Sequence, residues 1–384
     1  MQLIATCAVG LEPLLKDELT ALGFEPKGNA RGAVAFEGDW PAVWRANHWL
    51  RTANRVLIEI ATWNGNDGDA LHAGARNLVR RRKPLAGFDE SFNFGRLLSP
   101  ERTFAVRATT SLSKQRDIRW IALRVKDGLV DGQRDRHGRR STIDREYPDI
   151  QLRVRLFKDQ ATLLLDTSGE PLDHRGYRLT TVAAPLRETL AAASVLISGW
   201  SGEGPIIDPM CGSGTLLAEA GWWALGRPPS YLRSSFPYEQ LPGFHAQARK
   251  EATAAPPTGL ESRQGVELIG LDRNPMAIAA SEGNLEEARL LYNSTLMQGD
   301  AFEWLPPEGP GLVLINPPYG ERLKSAPDAW KHLGDLLKRR YTGKTAVVVA
   351  GGEDQGKSIG LRPKRRLAVK NGPLDARLLA FDLY

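Results

Sequence analysis

The chain has 384 residues, of which 42% are hydrophobic and 25% charged, and its formal net charge is +6. These fractions are typical of a globular protein and exclude a disordered or fibrous chain, while the length allows two or three domains. Two cysteines cannot build a disulfide framework or a metal site, and neither a leader nor an apolar run of about 18 residues is evident, so we expect a cytoplasmic protein without membrane spans.

The first part of the chain alternates predicted strands and helices. In chain order these are strand 2–7, helix 11–22, strand 33–36, helix 39–53 and strand 55–63. This order indicates a small α+β unit. The turn-forming Asn64-Gly-Asn-Asp-Gly68 comes next, and we place the end of the first domain at residue 64.

The positive charge of the chain is concentrated in one segment. Residues 66–158 contain 21 Lys and Arg against 12 Asp and Glu, whereas the rest is slightly acidic. Such localisation is typical of a module that binds a polyanion. We expect residues 134–140 to form a mobile basic loop. The candidate phosphate contacts of the segment are Arg80, Arg81, Arg82, Lys83, Lys114, Arg116, Arg139 and Arg140.

The same segment has a recognisable order of elements. A helix at 70–82, a strand at 103–110, the turn Ser111-Leu-Ser-Lys114, a helix at 118–130 and strands ending in Asp166-Thr-Ser-Gly169 resemble a THUMP domain. THUMP domains occur in RNA-modifying enzymes and bind structured RNA. The resemblance therefore implies an RNA-binding domain over residues 65–168.

Polar residues end successive predicted strands in the second half. Asp208 follows Ile206-Ile207 and opens the turn Asp208-Pro-Met-Cys-Gly-Ser-Gly-Thr215, and the next strands end at Asp272, at Asp300-Ala301 and at Asn316. We expect a parallel sheet with these residues along one edge, where ligands bind in such folds. The Pro-rich residues 227–264 interrupt the spacing and are interpreted as an insertion that forms a flap.

Together these motifs resemble a class I S-adenosylmethionine-dependent methyltransferase. The combination of Arg175-Gly-Tyr-Arg178, the glycine turn, the strand-end acids and Asn316-Pro-Pro-Tyr-Gly-Glu-Arg322 is similar to the THUMP-containing family that methylates the exocyclic amine of guanosine in RNA. The resemblance implies an α/β, Rossmann-like seven-stranded methyltransferase domain over 169–384, preceded by a ferredoxin-like domain (1–64) and a THUMP domain. It implies S-adenosylmethionine as cofactor and S-adenosylhomocysteine as product.

The residue types suit that cofactor. Gly212 and Gly214 allow the backbone to approach a ligand closely. Asp208 is suited to the cofactor's ammonium, Asp272 to both ribose hydroxyls, and Asp300 with the Ala301 amide to the adenine edge. The full set of predicted cofactor residues is Asp208, Met210, Gly212, Gly214, Thr215, Asp272, Arg273, Asp300, Ala301 and Asn316.

The segment Asn316-Pro317-Pro318-Tyr319 is predicted to be catalytic. Two prolines force an extended turn after a buried strand, which leaves acceptor oxygens beside an aromatic ring. The Asn316 side-chain oxygen and the Pro317 carbonyl can accept the protons of an exocyclic amine and free its lone pair. Tyr319 can stack on a flipped base.

The sequence leaves several functions open. The favoured substrate is large-subunit ribosomal RNA, and transfer RNA is the alternative. A DNA adenine N6-methyltransferase and a protein glutamine methyltransferase share the Asn-Pro-Pro-Tyr motif, and an RNA-binding protein with an inactive methyltransferase fold is a further possibility. We expect no metal and a monomer, and we interpret Cys211 as structural, since no histidine lies near it in the sequence.

Overall fold

The structure, a computed structural model, describes residues 1–82, 84, 93–180, 186–241, 244–317, 328–372 and 374–384. Within these ranges the strands form two sheets of seven strands each, and helices pack against both. The predicted α/β architecture with an N-terminal α+β part is confirmed. Of the helices described, none has the length and apolar character needed to cross a bilayer.

The N-terminal half builds the first sheet. Its elements are β1 (Gln2–Cys7), α1 (Glu12–Ala21), β2 (Pro26–Ala30), β3 (Ala33–Glu37), α2 (Trp40–Trp49), β4 (Ala53–Asn64), α3 (Gly68–Arg80), α4 (Phe94–Leu97), β5 (Phe104–Ser111), α5 (Ile118–His137), β6 (Ile150–Phe157) and β7 (Gln160–Asp166). The strand order is β2-β3-β1-β4-β7-β6-β5. Because β4 pairs with both β1 and β7, the two predicted N-terminal domains share one continuous sheet.

Helices α3 and α5 run parallel and lie very close together. Asp69 pairs with Arg124 at their beginnings, and Arg76 pairs with Asp135 near their ends. Gly128 makes the approach possible, because a Cβ there would lie 2.2 Å from the carbonyl oxygen of His72. Helix α5 continues to His137, so the prediction of a mobile basic loop from residue 134 was wrong. A cap at Gly138, with φ of 69°, ends the helix instead.

The C-terminal half builds the second sheet. Its elements are α6 (Glu188–Ser198), β8 (Ile206–Asp208), α7 (Thr215–Ala224), α8 (Ala246–Ala254), β9 (Leu268–Asp272), α9 (Pro275–Glu287), β10 (Ser294–Gln298), β11 (Leu312–Ile315), α10 (Ala329–Arg340), β12 (Thr345–Ala350), α11 (Glu353–Ser358), β13 (Arg365–Asn371) and β14 (Leu374–Asp382). The order is β10-β9-β8-β11-β12-β14-β13, with the antiparallel pair β13 and β14 at one edge. Strand β10 ends at Gln298, before Asp300, because Asp300 belongs to the following turn.

The insertion at 227–264 is docked against the N-terminal half. Its helix α8 packs on α2, where Arg45 Nη1 donates to the Ala252 carbonyl at 2.7 Å and Trp49 Nε1 to the Thr253 carbonyl at 3.0 Å. These contacts differ from the expected flap. The described part of the insertion links the two halves of the chain.

A buried ion pair of the C-terminal half takes part in a second link between the halves. Arg175 Nε lies 3.1 Å from Glu219 Oε1 in α7, and both side chains are almost fully buried. Arg175 also donates to the carbonyl oxygen of Arg51, two residues before β4, and this contact joins the halves. Through Arg175, the helix that follows the glycine turn is therefore connected to the segment that leads into β4.

Candidate functional site

The polar residues predicted at strand ends do lie along one edge of the second sheet. Strands β9, β8 and β11 are neighbours and parallel, with Asp208 paired in register with Gly270 and Asp272 with Gln298. Asn316 follows β11 directly, on the other side of β8. The strand order reverses at β8, and ligands of open α/β sheets bind at such a switch point.

Each of the three acids caps the turn that follows its own strand. Asp208 accepts from the amide of Met210 at 3.1 Å, Asp272 from that of Asn274 at 2.9 Å, and Asp300 from that of Phe302 at 2.8 Å. In every case the contact uses the amide two residues further on, which is the Asx-turn arrangement. These contacts occupy Oδ1 of each acid, so Oδ2 is the oxygen that the local turn leaves free.

The glycine turn is held against the neighbouring strand. Gly212 donates its amide to Asp272 Oδ2 at 3.0 Å, and Cys211 donates to the Leu271 carbonyl at 2.9 Å. Gly212 and Gly214 have φ of 54° and 78°, which L side chains rarely adopt. The two glycines thus allow a tight turn whose backbone faces the strand-end acids.

Helix α9 supports this turn with side chains that the sequence analysis did not select. Ser281 Oγ donates to the Gly212 carbonyl at 2.8 Å, and Asn284 Nδ2 donates to the Ser213 carbonyl at 2.9 Å. Asn284 Oδ1 also accepts from the amides of Leu179 and Thr180. Both residues are buried in the stripe that otherwise carries Ala277, Ala280 and Leu285. A serine and an asparagine inside an apolar helical stripe are the signal that could have found them.

Burial determines the ionisation of two side chains at the turn. Asp208 is 1% exposed, and this burial, with a smaller effect of the Asp272 charge, raises the pKa of its carboxyl group to about 8 against the opposing Met210 amide. Burial likewise raises the pKa of the Cys211 thiol. A thiol held protonated is a poor nucleophile, in agreement with a structural role for Cys211.

Three more of the predicted cofactor residues are Arg273, Ala301 and Thr215. Arg273, which follows β9, forms an ion pair with Asp300 Oδ2. Although partial desolvation opposes it, the Phe302 amide and the Arg273 guanidinium hold the pKa of Asp300 below its usual range. Ala301 is buried beside it, and Thr215 Oγ1 accepts from Arg178 Nη2 at 3.2 Å at the start of α7.

Asn316 has an unsatisfied acceptor. Its Oδ1 atom is buried and has no hydrogen-bond partner in the structure as described. A buried amide oxygen without a donor costs about 1–3 kcal/mol. An N–H group of a bound ligand that donates to this oxygen would remove that cost. Pro317 is buried next to it. The other two predicted catalytic residues, Pro318 and Tyr319, lie outside the described residues.

The predicted phosphate contacts divide into two groups. Lys114 and Arg116 precede the N-terminus of α5, while Arg80, Arg81, Arg82, Arg139 and Arg140 lie at or beyond the C-terminal ends of α3 and α5. With 20 residues, α5 separates the groups by about 30 Å. Arg80 lies 3.6 Å from Asp135, and Arg139 pairs with Glu101. Lys83 lies outside the described residues.

Three family models match the chain in sequence order. Residues 2–57 match the RlmL ferredoxin-like domain, residues 92–166 the THUMP domain, and residues 175–380 the RMKL-like methyltransferase domain.

Known proteins match over the whole chain. An RNA methyltransferase of Synechocystis sp. is 36% identical over 99% of this chain and 96% of its own length. The ribosomal RNA large subunit methyltransferase K/L of Syntrophotalea carbinolica is 36% identical over 100% of this chain but 54% of its own length. The chain therefore spans about half the length of the K/L relatives. The solved structure of the methyltransferase SMU.472 in complex with SAH is 25% identical, with a TM-score of 0.83 over 100% of this chain and 98% of that one.

Proposed function

The chain belongs to the family of RMKL-like methyltransferases, and from this premise we propose that it transfers a methyl group from S-adenosylmethionine to the exocyclic N2 of a guanosine in large-subunit ribosomal RNA. The observation that carries the choice of acceptor is the buried, unpartnered Oδ1 of Asn316 at the end of β11. It offers an acceptor for an amine hydrogen at the edge where the strand-end acids lie.

The residues at that edge fit the cofactor. Asp272 has one carboxylate oxygen engaged by Asn274 and the other by Gly212, and both oxygens retain lone pairs for two ribose hydroxyls. The glycine turn presents backbone rather than side chains, and Asp208 offers a buried carboxyl group for an ammonium. When bound, the cofactor supplies an electrophilic methyl group on a sulfonium.

The residues of this chain would act on the acceptor. An exocyclic amine conjugated to a ring is a weak nucleophile, because its lone pair is delocalised. A hydrogen bond from this amine to Asn316 Oδ1, with a second to the Pro317 carbonyl, draws the nitrogen towards tetrahedral geometry. The same contacts orient the amine, and orientation is a large part of catalysis in a reaction between two bound groups. We propose that Tyr319 stacks on the flipped base.

The chain is also proposed to consist of three domains. We propose domains at 1–64, 65–168 and 169–384, and the matched ranges 2–57, 92–166 and 175–380 support this division.

We propose that the protein works in the cytoplasm as a monomer and needs no metal, since an activated sulfonium requires no Lewis acid. Sedimentation, and methyl transfer in the presence of a chelator, test the last two points.

One experiment separates the candidate substrates. Purified protein is incubated with methyl-labelled cofactor and, in parallel, with unmodified ribosomal RNA, transfer RNA, duplex DNA and a release-factor peptide. Mass spectrometry of the digested products should find N2-methylguanosine in ribosomal RNA. Label in transfer RNA alone would retain the chemistry and change the substrate, whereas N6-methyladenine in DNA or methylglutamine would overturn the proposal.

A further inference from the structure

Strands β5 and β6 have one covered face, and the other face is open from Arg107 onwards, since Ala105 before it is buried. They pair in parallel, with Arg107 opposite Arg153, Thr109 opposite Arg155, and Ser111 opposite Phe157. The alternate side chains of β6, which are Leu152, Val154 and Leu156, are buried in the core beneath α3 and α5. The arginines therefore all project from the face that the two helices do not cover.

The charge on this open face is only partly neutralised. Asp166 on β7 accepts from Arg153 at 2.8 Å and from Arg55 at 2.7 Å. Arg107 and Arg155 have no ion-pair partner within the described ranges, and Arg107 is exposed. Like charges directly opposite each other on neighbouring strands are destabilising. Arg107 lies opposite Arg153 in this way, so the face carries an excess of positive charge that an external anion would stabilise.

The turn after β5 exposes an apolar side chain at the end of this strand. Leu112 has φ of 52° and is 75% exposed, which is an unfavourable backbone conformation for a bulky residue. The conformation is fixed by a small network in which Asp159 accepts from the Lys114 amide at 2.8 Å and Ser113 Oγ accepts from the Asp159 amide at 3.0 Å. This backbone conformation costs free energy and leaves a leucine exposed to solvent. Residues in such strained conformations cluster at binding sites.

Cations and an aromatic ring lie at the same end of the two strands as Leu112, because Ser111, the residue before it, pairs with Phe157. Arg155 lies 5.1 Å and Lys158 Nζ 5.5 Å from the centre of the Phe157 ring. Lys114 and Lys158 are exposed on either side of the turn. Cations beside an aromatic ring and an exposed apolar side chain form a combination that suits unpaired nucleotides.

We propose that an unpaired segment of the substrate RNA binds along the open face of β5 and β6 and ends at Leu112, which packs against an unstacked base. Arg107, Arg155, Lys114 and Lys158 contact its phosphates. This inference rests on the proposed function, since it assumes an RNA substrate. It places the principal contacts here rather than at the helix-end arginines, of which Arg80 and Arg139 already face carboxylates.

The substitution Leu112→Gly separates binding from stability. Glycine adopts φ of 52° without strain, so the melting temperature should stay the same or rise. The affinity for an unmodified ribosomal RNA fragment should nevertheless fall at least fivefold, as measured by fluorescence anisotropy. The control Leu123→Ala removes another exposed leucine, on α5, and should bind as the wild type does. Wild-type affinity in Leu112→Gly would overturn the inference.

A charge-reduced variant tests the arginines. For Arg107→Gln/Arg155→Gln, the slope of log affinity against log salt should fall by about 0.7 to 0.9 for each lost contact. The control Arg31→Gln/Lys250→Gln removes two exposed charges elsewhere and should keep the wild-type slope. Loss of affinity in Arg80→Gln/Arg82→Gln, with none in Arg107→Gln/Arg155→Gln, would contradict the proposed surface.

The two proposals fail in different ways. If the wild type neither binds nor labels ribosomal RNA, the proposed function is wrong. If the wild type labels the RNA and the variants on the open face bind it equally well, the function stands and only the surface is wrong.

Discussion

Gly212 donates its backbone amide to the Asp272 carboxylate across 3.0 Å, so the glycine turn after β8 and the end of β9 form one unit. The bond connects two elements that are separated by 60 residues of chain and by the insertion. It gives Asp272 two tasks, because the carboxylate that we propose for the ribose hydroxyls also fixes the turn proposed for the rest of the cofactor.

We therefore expect Asp272→Ala to weaken cofactor binding at least tenfold. Hydrogen bonds to a charged group contribute about 1.5–3 kcal/mol each, and the substitution removes such contacts and releases the turn. Isothermal calorimetry with S-adenosylhomocysteine measures the change. Asp69→Ala, at an exposed carboxylate of α3, is the control and should bind normally. Unchanged affinity in Asp272→Ala would assign the adenosine to another strand end.

Asn316→Ala should separate binding from chemistry. The unpartnered Oδ1 is proposed to hold the acceptor amine, so cofactor affinity should change by less than about threefold, whereas methyl transfer to RNA should fall by about 10² or more. Calorimetry and a methyl-transfer assay on the same preparation test both parts. Asn293→Ala, whose side chain bonds to the Val266 carbonyl, is the matched control. Retained turnover in Asn316→Ala would contradict the proposed role.

The sequence predicted the sheet edge well for a physical reason. Asp208, Asp272 and Asn316 follow short apolar runs, and parallel strands bring such positions together at one edge. Asp300 was predicted at the end of its strand, because the sequence does not reveal that its carboxylate caps a turn through Phe302. Asn284 was not selected, because its partners Leu179, Thr180 and Ser213 come from segments distant along the chain.

The position of the cations was harder to predict. Charge counting indicated a positive segment, but it did not distinguish Arg80, which faces Asp135, from Arg107, which has no ion-pair partner among the described residues. That distinction depends on strand register and on the parallel packing of α3 and α5. The role of the insertion likewise depends on contacts between α8 and α2 that residue spacing does not encode.

Glu219 should be important for stability rather than for chemistry. Glu219→Ala leaves the buried guanidinium of Arg175 without its partner, and breaking a buried pair in this way costs about 3–5 kcal/mol. Tyr177 also loses its hydrogen bond to Glu219. Urea unfolding followed by tryptophan fluorescence should show a clear loss, while Asp135→Ala, which breaks an exposed pair, should have a much smaller effect. Equal effects would show that the link between the halves contributes little.

The raised pKa of Asp208 predicts that the stability of the free protein depends on pH. Its pKa in the folded chain is raised by burial to about 8 from an ordinary value of 3.8. The folded state therefore holds the proton more tightly than the unfolded state. The stability from this protonation is complete below about pH 4 and is lost as pH rises towards about 8. Asp208→Asn keeps a neutral side chain, so its stability relative to the wild type should increase over that range.

Binding should reverse this preference, because an ammonium beside Asp208 favours the carboxylate. Between about pH 6 and pH 7 the cofactor's amino group keeps its own proton, so binding should release one from Asp208, and affinity should rise with pH. Calorimetry in buffers with different ionisation enthalpies counts the released protons. Asp208→Asn should bind more weakly and release none from this site. If the wild type binds without proton release and with the same affinity at both pH values, Asp208 does not receive the ammonium, and the glycine turn would have to hold it through backbone carbonyls instead.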